Sequence, residues 1–154
     1  MFINVFRDKC SSDRSEKCFI HTYMLKKSVR CGAYSVDLAC AAAQMKALRE
    51  SFGLPAEKRI MYLRLTFVKY ECKGFTEDFA EMLAQKVCMN CFSEYQVVYG
   101  VHHYNERWHL HIVLNPVNMH TGRIFEMDSY DKKRVADVMM GYSGAEMVCV
   151  CESN

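Results

Sequence analysis

Residues 95 to 117, YQVVYGVHHYNERWHLHIVLNPV, constrain the fold more than any other stretch of the chain. Two runs rich in β-branched and aromatic residues flank the short polar segment YNER, the pattern of two strands joined in an antiparallel hairpin. The same stretch holds four of the chain's six histidines, at positions 102, 103, 109 and 111. Residues two apart on a strand project to one face, so His109 and His111 point together while Leu110 and Ile112 point away. On the paired strand, either His102 or His103 faces the same side. Three imidazoles on two adjacent strands, with positions left open for water or substrate, suit a catalytic divalent-ion site better than a closed structural one.

The rest of the chain supplies partners for such a hairpin. MFINVFR alternates as an opening strand, and CFIHTYML reads as helical beyond the polar stretch DKCSSDRSEK. From Ser35, a candidate N-cap, VDLACAAAQMKALRESFG carries apolar residues at helical spacing and closes on Gly53 with Pro55 beyond. RIMYLRLTFVKY alternates Ile60, Tyr62 and Arg64 against Met61, Leu63 and Leu65, as a strand does. Thr76 is placed to cap a helix over TEDFAEMLAQKVCMN, with Glu77 and Asp78 where the helix dipole favours acids. YDKKRVADVMMG predicts a further helix ending at Gly141, and EMVCVCE a last strand. The order predicts an α+β fold, a largely antiparallel central sheet with helices packed on it as a two- or three-layer sandwich.

A length of 154 residues suits one domain, here taken as 1–154, and no linker, repeat or low-complexity tract divides it. No run approaches the roughly 20 apolar residues of a membrane span, and MFINVFRDKC lacks a signal-peptide layout, so a cytoplasmic protein with no membrane partner is expected. Nine cysteines, mostly within apolar segments, fit free thiols in a reducing compartment. Cys88 and Cys91, with Cys149 and Cys151, also have the spacing of a four-cysteine zinc site, but cysteines in a helix end and a strand are more often core residues. The net charge of +2 permits a nucleic-acid partner without requiring one, with basic residues grouped at Lys26, Lys27 and Arg30, at Lys58 and Arg59, and at Lys132, Lys133 and Arg134.

VVYGVHHYNERWHLHIVLNPVNMHTGRIF closely resembles the three-histidine motif of the MobA/VirD-like relaxases, mobilisation nucleases of the HUH endonuclease superfamily that nick DNA for conjugative transfer. His109, Leu110 and His111 stand at the His-hydrophobic-His positions, and a histidine seven residues before this pair completes the family's metal triad, which selects His102. Asn115, Asn118 and Thr121-Gly122 match the family's continuation, and GAYSVDLACAAAQMKALRESFG, RIMYLRLTFVKY and FTEDFAEMLAQKV resemble its preceding segments.

The resemblance implies a tyrosine near the N-terminus that attacks a phosphodiester, forming a 5′-phosphotyrosyl link and releasing a 3′-hydroxyl. It places that nucleophile at Tyr23 in HTYMLKKSV, with Tyr34 as runner-up. The implied cofactor is a divalent ion, Mg, Mn or Zn. The implied partners are single-stranded or extruded DNA at an origin of transfer and accessory mobilisation proteins. The family's common aspartate two residues after the first histidine is Tyr104 here, Arg107 stands where histidine or asparagine is common, and Leu65 replaces a frequent glutamine; Glu106 is the candidate carboxylate to orient an imidazole. Lys26, Lys27 and Arg30 are candidates for gripping the strand, and Tyr34, Trp108 and Tyr104 for stacking on its bases. Two other readings share these residues: a replication initiator using the same chemistry, and a catalytically silent DNA- or metal-binding module of relaxase descent.

Overall fold

The computed structural model of the protein describes residues 1–6, 10–54, 60–67, 74–144 and 149–153. The chain runs through β1 (Phe2–Phe6), α1 (Asp13–Lys17) continuing directly into a π-helix (Cys18–Leu25), β2 (Arg30–Tyr34), a 3-10 turn (Leu38–Cys40), α2 (Ala41–Ser51) and β3 (Met61–Thr66). It then forms α3 (Glu77–Cys91), β4 (Val97–Tyr104), β5 (Arg107–Leu114), α4 (Ser129–Ser143) and β6 (Cys149–Ser153). The strands make one sheet in the order β2-β4-β5-β3-β1-β6. Every pairing is antiparallel except β1 with β6. The fold is therefore α+β with a largely antiparallel sheet, as the sequence implied.

Strand alternation divides the core in two. One face carries Ile3, Val5, Leu63, Leu65, Val97, Val101, Leu110 and Ile112, all buried beneath α3 and α4. The other packs Tyr62, Val98 and Val113 against Ile20 and Met24 of the π-helix and Ala41 and Met45 of α2. α1 is tied to α2 by a buried ion pair, with Arg49 Nη2 donating to both carboxylate oxygens of Glu16 at 2.9 and 2.8 Å. The helix that leads into Tyr23 is thus anchored across the layer.

Local chemistry explains the ends of the helices. Thr76 accepts a hydrogen bond from Phe79 N, as expected, and Asp128 forms a capping box with Asp131. Ser12 and Ser15 form another at the start of α1, within the stretch read as a polar connection. α4 runs past Gly141 and ends at Gly144, φ +68°, where the left-handed turn suits glycine. Ser35 is not an N-cap. It leaves β2 at φ +56°, Asp37 then accepts from Ala39 N to start the 3-10 turn, and the α-helix begins at Ala41.

β2 has no counterpart in the pattern of the sequence. RCGAY is short and contains a glycine, both weak strand signals, yet it pairs along its whole length with β4. The glycine is there for packing: a Cβ at Gly32 would lie 2.3 Å from the Tyr99 hydroxyl. Pro55, Lys58 and Arg59 lie outside the described residues. The four cysteines of the CxxC and CVC segments are divided between α3, which packs over β2, β4 and β5, and β6 at the opposite edge of the sheet. Burial pushes the Cys88 thiol well up and the Cys91 thiol up to about 11, so both stay protonated core thiols.

Candidate active site

The β4–β5 hairpin turns through Asn105 and Glu106, both at positive φ (+49° and +58°), a two-residue turn whose twist matches that of the strands. Its register sets His102 directly opposite His109, and His111 opposite Gly100. On the other side of β5, His109 faces Thr66 of β3 and His111 faces Arg64. Two rows therefore cross the sheet on the face beneath the π-helix, His102–His109–Thr66 and Gly100–His111–Arg64. His103 belongs to the opposite face, where its ring stacks on Trp108 at 4.2 Å.

The three imidazoles are held differently. His111 is 3% exposed, and its Nδ1 shares a 2.5 Å hydrogen bond with the Tyr62 hydroxyl. Nδ1 of His109 meets Thr66 Oγ1 at 3.1 Å. When each Nδ1 carries the proton and donates it, Nε2 keeps a free lone pair, the form in which imidazole ligates a metal. His102 Nε2 lies 2.8 Å from the Met24 carbonyl, which only accepts, so Nε2 carries a proton and, in the neutral ring, Nδ1 is the nitrogen with the lone pair. Burial, then the neighbouring His102 and His109, lowers the His111 pKa to about 2. His109 is lowered too, first by burial and then by Arg64. Both stay neutral at ordinary pH.

By donor chemistry, three uncommitted imidazole nitrogens on one sheet face fit a divalent cation. Among the described residues, however, no group of three His, Cys, Asp or Glu side chains converges on one ion-sized point. The rings are unevenly spaced: His102 lies against His111 with centroids 4.0 Å apart, while His109 and His111 are 6.3 Å apart.

Tyr23 stands over this cluster. It lies in the π-helix, 40% exposed, with its ring centroid 6.2 Å from both His102 and His111. Phe19, one π-helical turn before, stacks on it at 5.3 Å, and Lys27 Nζ sits 5.1 Å from its ring. π-helical segments are rare and recur at functional sites. Here the wider helix ends over Gly100, where a Cβ would lie 2.2 Å from Ser28 Oγ and 3.4 Å from Met24 Cγ. Glycine in β4 is what allows the end of the helix, and so Tyr23, to come down onto the histidines.

A model of the relaxase family, the MobA/VirD2-like nuclease domain, matches residues 22–142. The chain belongs to that family. Its nuclease domains nick DNA for mobilisation, and the matched span takes in Tyr23 and all three histidines. No curated protein and no solved structure matches the chain.

The residues that follow the histidines, Asn115 and Asn118, are structural in this chain. Asn115 is fully buried, donating to the Met45 carbonyl and to Gln96 Oε1. Asn118 Oδ1 accepts from the backbone N–H groups of His120 and Thr121, closing the turn that ends at Gly122, φ +69°.

Among the residues considered for DNA contact, Lys26 and Lys27 are exposed, and Lys27 lies over the Tyr23 ring. Trp108 is 5% exposed in the core under α3 and α4, on the face away from the histidines, so it offers no ring for stacking. Tyr34 and Arg30 share that far face: Tyr34 packs towards Tyr99, and Arg30 is bound by Glu77, Asp78 and Glu81 of α3. This also separates the runner-up nucleophile from the histidines by the thickness of the sheet. Glu106 is exposed at the hairpin tip, and hydrogen-bond partners of the three imidazoles include Tyr62, Thr66 and the Met24 carbonyl. Sequence reasoning did not assign Tyr62, Thr66 or Arg64 to the site. The signal was the alternation of β3, which puts Tyr62, Arg64 and Thr66 on one face and so beside whatever that face serves.

Proposed function

We infer that the protein is a metal-dependent, site- and strand-specific DNA nicking enzyme that works by tyrosine transesterification for plasmid or conjugative-element mobilisation. Tyr23 is the nucleophile, and His102, His109 and His111 hold the divalent ion, Mg, Mn or Zn. The substrate is single-stranded or extruded DNA at an origin of transfer, in the cytoplasm, and one nuclease core spans 1–154 and works with accessory mobilisation proteins. The observation that carries this is the placement of an exposed tyrosine, 79 positions before the first histidine, within 6.2 Å of two imidazoles on a separate hairpin.

In the reaction the Tyr23 oxygen forms a bond to phosphorus and the bond from phosphorus to the 3′-oxygen breaks. The proton lost by the phenol is balanced by the one the 3′-oxygen takes up, leaving a 5′-phosphotyrosyl link and a free 3′-hydroxyl. When bound, the ion supplies Lewis-acid stabilisation of charge on the phosphate oxygens. The protein's own groups do the rest: Tyr62 and Thr66 fix two imidazoles, the Phe19 stack orients the attacking ring, and Lys27 and Lys26 favour an approaching phosphate.

The test is a denaturing gel of the purified protein with a pool of labelled single-stranded DNA and Mn or Mg. A protein–DNA band that survives denaturation, and is lost in Tyr23→Phe and His109→Ala but kept in Tyr34→Phe, is the expected result. The close packing of His102 on His111 favours a second reading, a silent module of relaxase descent. That reading predicts DNA binding with no covalent band in any metal. A replication initiator would give the same band on a replication origin.

A further inference from the structure

Beside Tyr23, an open cleft of about 730 Å³ is lined by residues of α1, the π-helix and the strands β1 and β3. Its lining includes Phe6, Phe19, Tyr23 and Tyr62, the exposed Cys18 and the guanidinium-bearing Arg64. The volume lies within the ~300–1,000 Å³ range of ligand clefts. Phe6 and Phe19 are only half-buried, leaving aromatic surface towards the opening.

Arg64 is the unusual element. It projects on the histidine face of a central strand, opposite His111, where its neighbours Tyr62 and Ile60 are buried core residues. Its Nε is buried without a hydrogen-bond partner among the described residues, and its guanidinium carbon lies 5.8 Å over the Phe6 ring. A buried cationic donor left open costs free energy unless an anion completes it. The guanidinium fork matches phosphate oxygens, and the aromatic walls match the π-face of a base.

We propose that this cleft is a nucleotide subsite: it takes the unpaired nucleotide next to the scissile phosphate, its base among Phe6 and Phe19 and its phosphate on Arg64. Arg64 is a positioning residue, delivering the DNA to Tyr23. The subsite rests on the relaxase reading for the source of its ligand, while its affinity for a nucleotide is a property of the cleft alone.

Two readouts separate the two ideas. In the first, thymidine 3′,5′-bisphosphate is titrated into the protein, with thymidine and inorganic phosphate as partial probes, and the ring-proton resonances of Phe6, Phe19 and Tyr62 are followed by NMR. Saturable shifts are expected, weakened at least tenfold in Arg64→Gln and largely kept in Arg64→Lys, as for loss and retention of a charge-assisted hydrogen bond. Cys18→Trp, which fills the cleft from an exposed lining position and spares Arg64, should also lose them. Lys133→Gln, on the exposed face of α4, should not. In the second, covalent capture of DNA by Arg64→Gln should show KM raised at least tenfold with a smaller change in kcat.

Binding unaffected by Arg64→Gln and Cys18→Trp, or shifts confined to other residues, overturns the subsite. So does a wild-type protein that captures DNA covalently but shows no shifts in the cleft, a result that leaves the relaxase reading standing. Shifts in the cleft with no covalent capture keep the subsite and remove the relaxase reading.

Discussion

Arg49→Met should be among the most damaging single changes outside the site. The Arg49 and Glu16 side chains are 6% and 2% exposed, and the pair joins α2 to α1. Arg49 also reaches Asn115 Oδ1 at 3.4 Å, so it touches the end of β5 as well. Removing the arginine leaves a carboxylate buried beside Met, and breaking a buried pair in this way costs about 3–5 kcal/mol. With an unfolding entropy of about 2.1 cal/mol/K per residue, a chain of 154 residues loses about 3 °C of Tm per kcal/mol, which gives a drop of about 9–15 °C. The double variant Arg49→Met/Glu16→Leu removes both charges and should recover most of the loss, because the desolvation of the carboxylate goes with it. The exposed pair Lys133–Asp137 on α4 is the comparison: Lys133→Met should change stability by less than about 0.5 kcal/mol. Thermal and urea unfolding followed by circular dichroism measure all four proteins. A loss below about 1 kcal/mol in Arg49→Met, or a double variant no better than the single, would refute the reasoning. Because α1 leads straight into the π-helix, the single variant should also slow covalent capture of DNA by Tyr23, even at temperatures where it remains folded.

Three further outcomes follow from the site. His111 is neutral when folded, with its pKa lowered to about 2 against an ordinary 6.5, so the unfolded chain binds the extra proton; its share of stability is complete above about pH 6.5 and falls, by up to about 1.4 kcal/mol per pH unit, as the pH drops below that towards 2. Urea midpoints between pH 7 and 4.5 should fall more steeply for the wild type than for His111→Leu, and parallel curves would count against it. Gly100→Ala drives a methyl into Ser28 Oγ and Met24, so it should cost about 1–3 kcal/mol in urea unfolding and lower the rate of DNA capture by lifting Tyr23; an unchanged rate would show that the end of the helix does not set the position of the tyrosine. Tyr62→Phe removes the hydroxyl that shares a proton with His111 Nδ1 and should weaken Mn binding about 10–100-fold in equilibrium dialysis while the far-ultraviolet spectrum stays unchanged; wild-type affinity would rule out its role as the imidazole's anchor.

The sequence carried the hairpin, the capped helix after Thr76 and the shared face of His109 and His111, because each is written in residues close together in the chain. A two-residue period or a Thr at a helix start needs no knowledge of distant contacts. What it did not carry depends on partners elsewhere. β2 exists because β4 offers it an edge, and its glycine, which weakens the strand signal, is required by the Tyr99 ring. Trp108 reads as an exposed aromatic near a polar turn, yet strand parity sends it to the core face. The position of Tyr23 came only from family resemblance, since nothing in CFIHTYML itself says that the segment will be a π-helix or that its last turn will rest on Gly100.

The same parity explains why the chemistry collects where it does. One sheet face is sealed by the two longest helices, α3 and α4, and the polar groups described there are held by the helices or at the margin: Arg30 in salt bridges to α3, the Tyr99 hydroxyl on Glu81, and His103 stacked on Trp108. The other face is covered by short elements, a five-residue α1, an eight-residue π-helix and an eleven-residue α2. Such a cover leaves ground at its edge, where three histidines, Tyr62, Thr66 and Arg64 stand in two-residue steps on β3, β4 and β5. Strands hold those side chains at fixed spacings, while the tyrosine that must meet them comes from the thinner layer above. A substitution that thickens that layer's footing, as at Gly100, should therefore damage the reaction before it damages the sheet.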